Sequence, residues 1–308
     1  MTKQPPRDRG ASVRGRLLRL ARAHGEDFQR LLTRYANERL LFRLGASPHG
    51  RSFVLKGAAL FTFWTGKPHR ATRDVDLLGL GDCSEAHIRE VFTQVLAPTV
   101  EDGVVFDPNS MEVGPIREDQ VYGGVRVEVI AHVTSAKLRL QVDVGFGDAI
   151  TPKAVLVELP SLLDFPAPRL RVYPRETVVA EKLEAMVQLG MANSRMKDFY
   201  DLALIARMFD FDGRVLSRAI RTTFERRRTP LPRGLPLALT TAFADDAGKN
   251  VQWTGFVRKS GAVDAGSLSD TITTIAAFVE MPLRMAAQAS AFPATRWQAG
   301  GPWRSNPE

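Results

Sequence analysis

The sequence predicts an α+β protein in which a domain built on a mixed β-sheet is followed by a mainly helical C-terminal domain. Two observations lead to it. Strand-like runs with two-residue alternation, clearest in Val125, Val127, Val129 and in Leu138, Leu140, Val142, gather before residue 160. Beyond Pro166 and Pro168 the apolar spacing turns helical.

The elements follow in order. Residues 1–48 read as an N-terminal helical segment after a short tail, with a helical pattern from Ser12 to Leu44 broken at Gly25. Residues 49–168 form the αβ domain. It begins with a strand at Phe53–Leu55, a Lys-Gly turn, a short apolar helix at Ala58–Trp64, a loop, and a strand through Asp74–Leu78. A helix is expected at Ser84–Leu96, then strands near 111–116, 125–133, 137–144 and 155–159. Residues 169–290 form the helical domain, with helices near 175–189, 196–209, 214–224, 235–245 and 268–288. Residues 291–308 are polar, carry Pro and Gly, and are expected to be flexible.

Composition bounds the function. The chain has 308 residues, 44% hydrophobic and 25% charged, which is ordinary for a globular protein. A net charge of +8 favours polyanionic partners, nucleic acid before membrane. The single Cys83 excludes an intrachain disulfide and a cysteine zinc cluster. No signal-peptide pattern and no run of ~20 apolar residues is found, so a cytoplasmic protein without a membrane span is expected. The five histidines show no metal-ligand spacing, and no G-x-S-x-G elbow supports a serine hydrolase.

The chemistry centres on the stretch RATRDVDLL. On a strand, Asp74 and Asp76 project from one face while Val75 and Leu77 face the core. Two carboxylates so close repel, and a hard divalent cation such as Mg²⁺ relieves that conflict. A lone D-x-D is more often a pair of solvated loop acids, so the neighbours matter. Asp143, in KLRLQVDVGFGD, alternates outward with Arg139 and Gln141 and supplies a third acid. Three carboxylates suit two ions ~3.5–4 Å apart in phosphoryl transfer. Lys56, Gly57 and Ala58 form a strand-to-helix turn whose backbone amides suit a triphosphate. Arg70 and Arg73, with Thr72 between them, stand ready to neutralise transferred charge.

Two further groups lie downstream. Lys182 sits within the apolar stripe of its helix, so it must snorkel, pair with an acid, or reach into a cleft. Asp198 and Asp201 share a helix face, where a Lys197–Asp201 surface pair worth ~0.3–0.5 kcal/mol is the plain alternative. Arg226, Arg227 and Arg228 are candidates for polynucleotide contact, the alternative being ordinary solvated surface.

Five segments in order resemble the AbiEii/AbiGii toxin family of nucleotidyltransferases: FVLKGAALFTFW, RATRDVDLL, LQVDVGFGD, RVYPRETVVAEKLEAMVQLG and SRMKDFYDLALIA. That family belongs to the DNA polymerase β-like superfamily and supplies the toxins of type IV toxin–antitoxin systems. The resemblance implies transfer of a nucleoside monophosphate from an NTP, with Mg²⁺ or Mn²⁺, to an RNA acceptor such as tRNA, with growth inhibition and a cognate antitoxin. It implies Asp74, Asp76 and Asp143 as metal ligands, Lys182 as the helical lysine, and Asp198 or Asp201 as a further acid. The turn departs from the superfamily's Gly-Gly or Gly-Ser, since Gly57 is followed by Ala58 and Ala59. Backbone amides and Lys56 are left to hold the triphosphate. Two alternatives stay open: the same chemistry on a small-molecule or protein hydroxyl, and a catalytically weak nucleic-acid or partner-binding protein of the same fold.

Overall fold

The computed structural model describes residues 9–72, 74–116, 123–288 and 294–305. The chain divides into two compact units, one of residues 1–147 and 155–172, the other of 148–154 and 173–308.

The first unit holds a seven-stranded mixed sheet ordered β3-β4-β5-β2-β1-β7-β6. Its helices are α1 (Arg9–His24), α2 (Phe28–Ala46), α3 (Ala59–Thr65) and α4 (Glu85–Leu96). Its strands are β1 (Phe53–Lys56), β2 (Asp74–Gly79), β3 (Val105–Pro115), β4 (Gly124–Val133), β5 (Ala136–Phe146), β6 (Val155–Glu158) and β7 (Arg169–Val172). The helices expected at residues 12–44 and the strands flanking Asp74 and Asp143 all form. Strand β7, which sequence reading passed over, pairs parallel with β1 beyond the expected proline boundary. Alternation in β4 and β5 explains the layering. Val127, Val129, Leu140 and Val142 are buried with Leu55, Val75 and Leu77, and α2 and α4 pack on the sheet. The intervening residues of β4 and β5 face the other side and are half-buried or exposed. An antiparallel sheet that buries one face in this way reads as a clean alternation.

The second unit is helical: α5 (Arg175–Leu189), α6 (Met196–Met208), α7 (Gly213–Arg227), α8 (Thr241–Ala244), α9 (Ala247–Ser260) and α10 (Leu268–Ala287). Helix α9 was not anticipated, although Asp246 caps its start and Gly261 closes it in the left-handed region. The C-terminal stretch expected to be flexible is ordered over residues 294–305. There β9 (Thr295–Trp297) and β10 (Trp303–Ser305) form a three-stranded sheet with β8 (Phe211–Asp212). Trp297 is 3% exposed and its indole donates to the Ala206 carbonyl, while the Trp303 ring stacks on Phe278 at 3°. Two tryptophans bury enough apolar surface to outweigh a Pro- and Gly-bearing composition. The rest of that stretch, residues 291–293 and 306–308, lies outside the described residues.

Candidate active site

Strand β5 lies directly beside β2, parallel to it, and the register sets Asp76 opposite Asp143. Lys56 on β1 stands opposite Asp76, and Arg126 on β4 opposite Asp143. Residues opposite one another share a face, so Lys56, Asp76, Asp143 and Arg126 form one row across four strands. The adjacent row is Asp74, Gln141, Glu128 and Glu112. Asp74 and Asp76 thus share the open face, Asp74 exposed and Asp76 half-buried.

The carboxylate of Asp76 lies against the turn at Gly57. A Cβ built on Gly57 would come within 1.9 Å of Asp76 Oδ2, and Gly57 has φ +73°. Both facts demand glycine there. Lys56 Nζ reaches over β2 to within 3.7 Å of where a Cβ on Gly145, two residues past Asp143 on β5, would stand. Ala58 begins the α3 turn in helical conformation and gives no side-chain cap, so the turn offers backbone groups only. Arg70 and Thr72 lie in the loop before β2, and Arg73 lies outside the described residues.

Asp143 is tightly held. Arg126 donates to both of its oxygens, Nε to Oδ1 at 2.8 Å and NH2 to Oδ2 at 2.9 Å, and Gln141 Nε2 adds bonds of 3.3 and 3.1 Å. The hydrogen bond to Asp143 raises the pKa of Arg126 above the usual arginine range, with the charges of Asp143, Asp74 and Glu128 adding to it. Sequence reading missed Arg126. As the side chains stand, no three His, Cys, Asp or Glu among the described residues are gathered to hold a metal ion. Asp143 is turned to the Arg126 guanidinium. The donor chemistry nonetheless fits a hard divalent cation, since Asp74, Asp76 and Asp143 offer carboxylate oxygen and no sulfur or imidazole.

In the second unit, Lys182 on α5 donates to Asp198 Oδ1 at 2.5 Å and to Asp201 Oδ2 at 2.9 Å on α6. Of the three fates open to this lysine, pairing with acids is the one seen. Both acids take part, and they are 8% and 1% exposed. Asp201 is thereby committed to Lys182 in place of a surface pair with Lys197.

The three consecutive arginines differ. Arg226 and Arg228 are exposed, with Arg228 closing α7 at φ 56°. Arg227 is turned inward, 2.7 Å from Glu184, 2.9 Å from Asp148 and 3.6 Å from Glu181. Burial opposes its charge, but Glu181, Asp148 and Glu184 overcome that and hold its pKa above the ordinary arginine value. A guanidinium so engaged is structural, which removes Arg227 from the expected polynucleotide contact.

The mixed sheet thus carries these acids in register on one face, on a fold shared with a solved nucleotidyltransferase-like protein. A crystal structure of an H. pylori protein assigned as a nucleotidyltransferase superposes with a TM-score of 0.52 at 13% identity, over 86% of this chain and 100% of that one. JHP933 from Helicobacter pylori gives 0.48 at 13% identity, over 85% of this chain and 93% of that one. At such identity the likeness concerns fold alone. The chain belongs to the family described as nucleotidyl transferase AbiEii toxin, type IV TA system, matched over residues 39–272. It is thus a nucleotidyltransferase of the toxin class. No curated protein matches it. Among the described residues no helix is long and apolar enough to cross a membrane.

Proposed function

We propose that this nucleotidyltransferase moves a nucleoside monophosphate from an NTP to an RNA acceptor, with tRNA as the substrate class, and releases pyrophosphate. The observation that carries this is the pairing of Asp76 with Asp143 beside Asp74, in a chain of the AbiEii family. Asp74, Asp76 and Asp143 are the residues that would hold Mg²⁺ or Mn²⁺. When bound, such ions would neutralise charge on the phosphoryl oxygens during in-line displacement.

The remaining roles fall to the chain itself. The Gly57 turn lets phosphates approach the backbone, and Lys56 brings an ammonium to the same face. Arg70 and Thr72 lie in the loop that would meet the triphosphate, and their sequence neighbour Arg73 is proposed for the same role. Lys182 would bind phosphate charge, with Asp198 and Asp201 fixing the direction of its ammonium. The exposed Arg226 and Arg228 would contact the RNA backbone. A cognate antitoxin would silence the enzyme in the cytoplasm.

The test incubates purified protein with Mg²⁺, total tRNA and each labelled NTP in turn. Labelled tRNA from one or more NTPs is expected, falling ~10³-fold or more in a folded Asp76→Ala variant. Label in a small molecule or a protein, with none in RNA, would overturn the RNA acceptor. Full activity in Asp76→Ala would overturn the acid assignment.

A further inference from the structure

We infer that Arg126 is a resident counter-cation of the acid row, which holds Asp143 and would surrender it to a bound divalent ion. The inference rests on the proposal that Asp74, Asp76 and Asp143 are the metal site. Its own ground is the occupancy of Asp143. Both carboxylate oxygens accept from the fork of Arg126, and both also accept from Gln141. A carboxylate so saturated has little left for a metal until some donors leave. The pair is also partly open to solvent, the two side chains being 35% and 18% exposed. Exchange therefore requires no buried charge to be stranded, unlike the fully enclosed Arg43–Asp102 pair at 3% and 1%.

The row supplies the reason for such a device. Asp76 and Asp143 lie opposite each other on adjacent strands, with Asp74 one step along. Without a cation between them, like charges facing across a ladder destabilise the pairing of β2 with β5. Arg126 supplies positive charge from the far side of Asp143, much as Lys56 stands on the far side of Asp76. A divalent ion drawn to Asp74 and Asp76 makes that guanidinium redundant and repels it. Once freed, the guanidinium remains in the row as a planar fork suited to phosphate oxygens. Metal loading and exposure of an anion-seeking group become one event.

Mn²⁺ binding to the full chain, without nucleotide, tests this through the loss of the free-ion electron paramagnetic resonance signal. Wild type, Arg126→Met, Arg126→Lys, Asp76→Asn, Asp143→Asn and the double variant Arg126→Met/Asp143→Asn are compared. Removing the competing charge and its hold on Asp143 should tighten Mn²⁺ binding about tenfold in Arg126→Met. Arg126→Lys, which keeps the charge and loses the fork, should fall between that and wild type. Melting in chelator establishes that each variant folds, and if the methionine variant does not, the lysine variant carries the comparison. Added Mn²⁺ should raise the melting temperature of Arg126→Met more than that of wild type. On the Asp143→Asn background the gain should shrink to within about threefold. Binding in Arg126→Met no tighter than wild type would overturn the inference, as would an undiminished gain without Asp143. If wild-type binding is lost in Asp76→Asn yet indifferent to Arg126, only this inference falls. If no form binds Mn²⁺, it falls together with the metal site.

Discussion

Gly57→Ala is the sharpest probe of how the site is held together. The new Cβ would lie 1.9 Å from Asp76 Oδ2, 2.6 Å from Cγ and 2.8 Å from Cβ, and no real Cβ tolerates such contacts. Restoring an ordinary 3.4 Å contact from 1.9 Å moves the carboxylate oxygen by about 1.5 Å, or moves the turn by as much. Alanine at φ +73° adds about 1–2 kcal/mol of backbone cost. Misplacement of a catalytic group by ~1 Å costs about 10²-fold in rate. Nucleotide transfer should therefore fall at least ~10²-fold, while the melting temperature drops by only a few degrees. A stability cycle separates the two effects. In an Asp76→Ala background the Oδ2 and Cγ contacts vanish and the 2.8 Å contact with Cβ stays, so the added cost of Gly57→Ala should shrink to the backbone part plus that one contact. Thermal melts of the four proteins, with labelled-NTP transfer on the two that keep Asp76, decide it. A Gly57→Ala enzyme within threefold of wild type would refute the seating of Asp76 on this turn, as would strictly additive melting shifts.

Other expectations follow from the same geometry. Lys182→Met should lower stability by about 3–5 kcal/mol, because Asp198 and Asp201 are buried and would lose the Lys182 ammonium. Adding Asp198→Asn and Asp201→Asn should restore the melting temperature without restoring transfer, and recovered transfer would end the case for Lys182 in the chemistry. Arg226→Ala/Arg228→Ala should weaken RNA binding and leave melting unchanged, with the log–log salt slope shallower by about 0.7 for each phosphate no longer neutralised. Arg227→Ala should instead destabilise, and the opposite pattern in filter-binding and melting data would reverse these assignments. Asp210 accepts from the Ala299 N–H at 2.8 Å and then from Arg296, which lowers its pKa. Its folded pKa lies below the unfolded value of ~3.9, so its contribution is present above that value and lost as pH falls through the folded one. Protection factors of the amides at residues 295–305, corrected for intrinsic exchange, should thus fall below about pH 4 in wild type, and Asp210→Asn should show the lower protection already at neutral pH.

How much could be read in advance depended on how local the cause was. Alternation in β4 and β5 was legible because each strand has one buried and one open face. Asp74, Asp76 and Asp143 were legible as outward acids, but the parallel register of β2 with β5 is set by packing and not by any short motif. Arg126 escaped notice although a signal existed. Val133 pairs with Ala136 across the two-residue turn at Thr134 and Ser135, and counting back along that hairpin puts Arg126 opposite Asp143. Arg227 was likewise readable, being three residues after Phe224 and seven after Ile220 on the buried stripe of α7. The run of three arginines concealed that. Strand β7 has only four residues, and the ordering of residues 294–305 depends on Trp297 and Trp303 meeting Phe278 from a distant helix. The alternation of Arg169, Leu170, Arg171 and Val172 is a strand pattern too short to stand out, and the meeting of the tryptophans with Phe278 leaves no local pattern.

If Asp74, Asp76 and Asp143 form the proposed site, the parallel pairing of β2 with β5 also governs when this chain can become active. The β4–β5 hairpin closes through two residues and forms early, within microseconds for an isolated hairpin. The β2–β5 ladder joins segments more than sixty positions apart, with a helix and two strands between them. Loop closure must precede any gain from such a contact, which makes it slow. During synthesis Asp74 and Asp76 emerge well before their neighbour Asp143, so the acids stay unassembled until the ribosome has passed β5 and the ladder has closed. For a chain of a toxin family, the interval between translation and completed topology is a period of built-in harmlessness.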